Sequence, residues 1–162
     1  MPTDFHAIIQ ALAQAGVRFV IAGGVAVVLH GHDRLTADLD IALELTAESV
    51  SAAIAALTRI GYRPMAPVDP MQLADPAIRE AWRRDRNMTV FSLWDSTNTK
   101  PTIDIFLESP LPFEELWTNA ALVELGGVNV RVVSREHLIR IKRASGRPQD
   151  LADVERLQSR KA

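Results

Sequence analysis

Two aspartates stand one residue apart inside an otherwise apolar run, Asp38-Leu39-Asp40-Ile41. On an extended strand, residues i and i+2 share a face. Asp38 and Asp40 therefore project side by side, while Leu39 and Ile41 turn to the opposite face. Aspartate is a poor strand former, and adjacent carboxylates repel unless one is protonated or a cation neutralises them. A solvated edge strand could carry two acids for solubility, but Leu39, Ile41, Ala42 and Leu43 mark an interior strand. A third acid has the same setting in Thr102-Ile103-Asp104-Ile105-Phe106-Leu107. Buried charges need partners, and a divalent cation such as Mg²⁺, taking only oxygen ligands, would serve all three carboxylates.

Upstream, the apolar run Val17 to Ala22 breaks at Gly23-Gly24 and leads into a short helical pattern, Val25 to His30. A strand that turns through glycine into a helix presents free backbone N–H groups at the positive end of the helix dipole, which favours a phosphate. Glycine also lets an anion approach the backbone closely. A tight turn is made the same way, and the pair by itself does not choose between the two.

The 162 residues suit one domain, 1–162, with 48% hydrophobic and 23% charged residues, an ordinary globular composition. There is no cysteine, which excludes a disulfide framework, a thiolate metal site and a cysteine nucleophile, and fits a cytoplasmic protein. Met1-Pro2-Thr3-Asp4 lacks the basic start and apolar run of a signal peptide. No apolar stretch approaches the roughly 20 residues of a membrane span, so no membrane partner is expected. Charge is uneven: residues 1–125 carry nine basic and sixteen acidic residues, and residues 126–162 carry nine basic and four acidic ones. An acidic half beside a basic segment suits a nucleoside triphosphate between them, although solvated helix faces give the same count.

Phe5, Ile8, Ile9 and Leu12 recur at helical spacing behind Thr3 or Asp4 as N-cap. The second strand is expected over Asp38 to Leu45, followed by a helix capped by Thr46 and ended by Gly61. Prolines 64, 67, 70 and 76 break up the next stretch, in which Asp75 to Asp85 reads as a short helix. Met88 to Trp94 and Pro101 to Leu107 read as an antiparallel hairpin with a longer loop. Residues 113–119 are helical, a small hairpin surrounds Gly126-Gly127, and two helices follow Ser134 and Pro148. The fold class is α+β (α/β), a mixed β-sheet flanked by helices with helices at the C-terminus.

Gly23-Gly24, thirteen intervening residues, Asp38-Leu39-Asp40 and a later strand bearing Asp104 together resemble the nucleotidyltransferase superfamily that shares the DNA polymerase β palm. Arg34-Leu35-Thr36-Ala37, with the tail Lys142-x-Ala144-x-Gly146-Arg147-x-x-Asp150-x-x-Asp153, is similar to its small bacterial branch near the AbiEii-type proteins. The resemblance implies a nucleotidyltransferase that moves a nucleoside monophosphate from an NTP, ATP among them, to a hydroxyl on a small molecule, a tRNA end or a protein. It assigns Asp38, Asp40 and Asp104 to catalysis and to two Mg²⁺ ions, with Mn²⁺ as a substitute. Gly23 and Gly24 would seat phosphate, with Arg34, Thr36 and Lys142 as further nucleotide contacts; the alternatives are an exposed loop arginine, a strand-start threonine and a lysine paired with Asp150 or Asp153, which share one helix face. Many members place serine where Gly24 stands, so this chain offers backbone donors there. Asp150 and Asp153 are read as structural.

Two other readings stay open. One is a non-catalytic partner of the same fold in a toxin–antitoxin pair, although members of that kind often lose an acid and this chain keeps all three. The other is a metal-dependent phosphatase or nuclease using the same carboxylates. Arg79, Arg83 and Arg86 would share a helix face, more readily solvated than bound to RNA. His30 and His32 lack metal-ligand spacing with another His or Cys, and Trp82, Trp94 and Trp117 read as packing anchors.

Overall fold

Alternating apolar residues, glycine stops and side-chain caps set the element boundaries in the computed structural model, which describes residues 4–159. Helix α1 spans Asp4–Gln14 and buries Phe5, Ile8, Ile9 and Leu12 as one stripe. The cap expected at Thr3 and the leader Met1-Pro2 lie outside the described residues, as does the Asp4 side chain. Strand β1 covers Phe19–Ala22, and helix α2 (Gly23–Leu29) starts at the first glycine, two residues earlier than the apolar pattern implies. Strand β2 (Asp38–Leu43) is shorter than expected and ends before Leu45. Helix α3 (Ala47–Arg59) opens on Thr46, whose side chain accepts a hydrogen bond from Ser49 N–H.

The proline-rich stretch holds two elements that the sequence pattern does not reveal. Strand β3 (Tyr62–Pro64) pairs at the sheet margin, where the missing proline N–H is tolerated. A 3₁₀ turn over Pro70–Ala74, capped by Asp69, then precedes α4 (Pro76–Arg86), capped by Asp75. Strands β4 (Val90–Asp95) and β5 (Thr102–Phe106) form the expected antiparallel hairpin. Helix α5 (Phe113–Asn119), the hairpin β6–β7 (Ala121–Leu125, Val128–Val132), α6 (Arg135–Ser145) and α7 (Pro148–Gln158) complete the order.

All seven strands join one sheet in the order β3-β4-β5-β2-β1-β7-β6. The sheet is mixed, as its sequence implied: β2 runs parallel to β5 and β1 parallel to β7, and the other pairs are antiparallel. Alternation works strictly at the centre. Leu39, Ile41, Ile103 and Ile105 are fully buried, while Asp38, Asp40, Thr102, Asp104 and Phe106 line the other face. Helices α1 and α3 touch each other, α1 touches β7 and α3 touches β3. Helices α6 and α7 pack together, and Leu138 and Lys142 of α6 share a cavity with Asp40 and Asp104 on the acidic face. Trp82 stacks on Phe91 within the core, with ring centroids 5.4 Å apart. Among the described residues no helix is long and apolar enough to cross a membrane.

The central strands should be intolerant of truncation. Ile41→Ala removes a fully buried side chain from β2 and is expected to cost about 2–5 kcal/mol in urea unfolding. A loss below about 0.5 kcal/mol, the scale of a surface change, would contradict its placement in the core.

Candidate active site

The parallel pairing of β2 with β5 sets Asp40 directly opposite Asp104. Strand β4 then sets Ser92 opposite Asp104, and β1 sets Ala22 opposite Asp40. Neighbouring strands lie about 4.8 Å apart, so Ser92, Asp104 and Asp40 form a row across three strands, with Asp38 two residues before Asp40 on the same face. The row has internal contacts. Ser92 Oγ donates to Asp104 Oδ1 at 2.6 Å, and Thr36 Oγ1 donates to the Asp38 carbonyl at 3.1 Å.

Both glycines at the end of β1 have specific reasons to be glycine. Gly23 has φ +62, and a Cβ there would lie 1.9 Å from Asp40 Oδ2. The absence of a side chain is what lets the Asp40 carboxylate sit over the strand-to-helix turn. At Gly24 a Cβ would meet Arg34 Nη1 at 2.7 Å and Thr36 Oγ1 at 2.9 Å. The space a serine would occupy is thus filled by a guanidinium and a hydroxyl from the loop before β2. Helix α2 has no side-chain cap and no acid in its first turn, and its first two residues, Gly23 and Gly24, line the cleft.

Electrostatics single out Asp40. Burial pushes its carboxyl up from 3.8 to about 6, and the charges of Asp104 and Asp38 add to the rise. Lys142 and Arg147 pull in the opposite direction without cancelling it. Asp104 is also raised, mainly by burial and further by Asp38, against the hydrogen bond from Ser92. The face is therefore short of positive charge.

Across the cleft, α6 and α7 supply cations that are already engaged. Lys142, only 5% exposed, places Nζ 2.9 Å from Asp153 Oδ2 and 3.6 Å from Asp150 Oδ1. Arg147 Nε donates to Asp150 at 2.8 Å. Arg34 Nε donates to both oxygens of Asp153, at 3.0 and 3.1 Å, and Arg156 donates to the same carboxylate at 2.8 Å. Asp153 is fully buried; burial opposes its ionisation, but the bonds from Lys142 and Arg34 outweigh this and hold its pKa low. Asp150 behaves alike, with burial overcome by Arg147, Ser145 and Lys142. The two aspartates read as structural do more than close a helix face, because Asp153 ties the Arg34 loop to the C-terminal helix pair.

Asp38, Asp40, Asp104, Gly23, Gly24, Arg34, Thr36 and Lys142 all line one cavity of about 260 Å³, together with Arg147 and Asp150. The structure thus brings these eight candidate site residues to one place. Among the described residues, however, no group of three His, Cys, Asp or Glu side chains is drawn together closely enough to hold a metal ion as it stands. Ser92 was not singled out in the sequence, since one serine in a strand carries no signal until the β4–β5 register is known. Outside the cavity, Arg79 is buried and bonds the Leu73 carbonyl, and Arg83 pairs with Glu80 and Glu108. Those arginines form no free basic face. His30 bonds the Val133 carbonyl at 2.8 Å.

Solved structures share this architecture. A lincosamide antibiotic adenylyltransferase, LnuA, bound to lincomycin, superposes with a TM-score of 0.65 at 19% identity, over 98% of this chain and 97% of that one. The fold is that of the nucleotidyltransferases. The antibiotic-resistance factor ANT(2″)-Ia matches with a TM-score of 0.59 at 17% identity, over 96% of this chain and 80% of its own, and has also been seen with adenylyl-2″-tobramycin. An antigenic nucleotidyltransferase-like protein from Paracoccidioides brasiliensis matches with a TM-score of 0.57 at 16% identity, over 95% and 74% of the two chains. No protein-family model and no curated protein matches the sequence.

Two outcomes follow from the burial and crowding of Asp40. Because its folded pKa of about 6 exceeds its unfolded value of 3.8, the folded protein binds more protons between those values, and stability falls as pH rises through that window. The rise from 3.8 to about 6 corresponds to at most about 3 kcal/mol. In metal-free buffer Asp40→Asn is expected to raise Tm by several degrees at pH 7.5 and little at pH 4; equal shifts at both would contradict the crowding. Gly23→Ala is expected to destabilise by about 2–4 kcal/mol, and by only about 1–2 kcal/mol, the cost of positive φ, in an Asp40→Gly background. The same loss in both backgrounds would contradict the close approach of Asp40 to Gly23.

Proposed function

We propose that the chain is a divalent-metal-dependent nucleotidyltransferase that transfers a nucleoside monophosphate from an NTP to a hydroxyl of a small molecule. The observation that carries this reading is the Asp40–Asp104 rung, short of positive charge and opened onto the Gly23-Gly24 turn. Its donor set consists of hard carboxylate oxygens, which fits Mg²⁺ or Mn²⁺. Asp38, Asp40 and Asp104 would hold the ion, which when bound would neutralise the carboxylates and the triphosphate charge.

The chain's own groups account for the remaining chemistry. The Gly23-Gly24 turn, Arg34, Thr36 and Lys142 bind and orient the triphosphate, and Arg147 extends the cationic wall. Asp104, raised in pKa and oriented by Ser92, takes the proton of the acceptor hydroxyl. The acceptor oxygen bonds to the α-phosphorus, the bond from that phosphorus to the bridging oxygen breaks, and pyrophosphate leaves with the electron pair. Binding phosphate requires Lys142 and Arg34 to share their charge between Asp153 and the ligand.

Support from relatives is of one kind: LnuA was seen with lincomycin and ANT(2″)-Ia with adenylyl-2″-tobramycin, so this fold carries out transfer to hydroxylated small molecules there. The tail motif keeps the branch near the AbiEii-type proteins as part of the proposal. A binding role in a toxin–antitoxin pair is the alternative, and the retention of all three acids in one cavity favours catalysis over it. A cytoplasmic location, where NTPs are abundant, is part of the proposal.

The test uses α-labelled NTPs, Mg²⁺ and a panel of hydroxylated acceptors. Label is expected in an acceptor together with released pyrophosphate, and Asp104→Asn should slow transfer about 10²–10⁴-fold, the range for removing a general base. Release of orthophosphate alone would point to a phosphatase, and equal activity of wild type and Asp104→Asn would overturn the site.

A further inference from the structure

The cleft continues beyond the polar cavity into a second compartment of about 670 Å³ that also reaches Asp40, Asp104, Lys142 and Arg147. Its lining differs in kind. Phe106 and Val90, opposite each other on β5 and β4, form the floor with Met88, and Leu138 and Ile141 of α6 close the other side. Phe106 lies two residues past Asp104 and so points to the same face as the acid.

Sheet order decides which reactant this compartment serves. The order β4-β5-β2-β1 puts the Gly23-Gly24 turn, at the end of β1, on one side of Asp40 and the β5–β4 floor on the other. In an in-line displacement the attacking and leaving oxygens lie on opposite sides of the phosphorus. If pyrophosphate leaves on the glycine side, the attacking hydroxyl comes from the β5–β4 side, where Asp104 stands to take its proton.

The charges of this lobe then limit the acceptor. Besides Asp40, Asp104, Lys142 and Arg147, its charged lining among the described residues is Asp150, engaged by Lys142 and Arg147, and Arg83 and Glu108, which pair with each other at 2.5 Å on the rim. No uncommitted acid is left for the several ammonium groups of a polycation, and no free arginine or lysine for the phosphates of a nucleic acid. The Thr89 hydroxyl adds a polar contact to the lining, while that of Ser145 is bonded to Asp150. A volume of this size fits a drug-sized molecule.

We propose that the β4–β5–α6 lobe is the acceptor site and that it selects a small hydroxylated molecule with an apolar flank and at most one positive charge. The proposal rests on the transfer reading above and adds the acceptor class to it. The apolar flank lies on Phe106 and Val90, and the reacting hydroxyl points back to Asp104.

The test compares three probes with α-labelled ATP and Mg²⁺: lincomycin (one amine, several hydroxyls and an alkyl chain), tobramycin as a polycation, and a short RNA. Label is expected in lincomycin and not in the other two. Val90→Asp should raise the KM for lincomycin at least tenfold with the KM for ATP unchanged, and Val90→Leu should behave like wild type. Label only in tobramycin or RNA would overturn the acceptor class while leaving nucleotidyl transfer standing. A rise in the KM for ATP instead would mean that the lobe holds the nucleoside. Transfer to none of the probes, with pyrophosphate released on adding other acceptors that are polyionic, would also overturn the class, whereas no pyrophosphate release with any acceptor would bring down the transfer reading itself.

Discussion

The burial of Asp40 beside Asp104 and Asp38 is the constraint on which the rest of the site depends. The Cα atoms of Asp40 and Asp104 are partners in the β2–β5 register, and a slip of β2 by one residue would turn Asp40 into the core. Leu39 and Ile41 forbid that slip, because they are fully buried on the opposite face, as Ile103 and Ile105 hold β5 in the same way. Hydrophobic burial on one side of the sheet thus holds together charges that would otherwise separate on the other. The arrangement is a local loss of stability set against a much larger core, a pattern expected where a site is organised for a ligand rather than for folding.

Positive charge is present nearby but is committed elsewhere. Lys142, Arg34 and Arg156 converge on the buried Asp153, while Arg147 leans on Asp150. This network connects the loop before β2 to α6 and α7, closing the cleft on one side. It also keeps the cations from collapsing onto Asp38, Asp40 and Asp104, which would fill the cleft with ion pairs and leave no demand for a ligand cation. Separate anionic and cationic walls result, spaced by a cavity into which Gly23 and Gly24 project no side chain.

Much of this was legible in the chain because it is written at periods of two and four. The acids at 38, 40 and 104 declare themselves by interrupting apolar alternation, and the glycine pair by interrupting a strand. The mixed sheet followed from a hairpin signal in a chain otherwise alternating strands and helices. Other parts depend on partners distant in sequence. Strand β3 is three residues long and contains Pro64, so only its pairing with β4 makes it a strand. Ser92 gains its role from lying opposite Asp104. Asp153 reads in the sequence as a structural acid, and its link to Arg34, 119 residues away, has no local trace. The reason for glycine at 24 was equally hidden, since it lies in the Arg34 and Thr36 side chains rather than in the turn.

Carboxyl NMR of Asp40, titrated first without metal and then with Mg²⁺ and a non-hydrolysable NTP, tests the central claim most directly. The account predicts a midpoint near 6 in the free protein and a fall well below it when cation and nucleotide are added, with Asp104→Asn lowering the free value as well. A midpoint near 4 in the free protein, unmoved by Mg²⁺ and nucleotide, would show that the carboxylates neither crowd one another nor share a ligand.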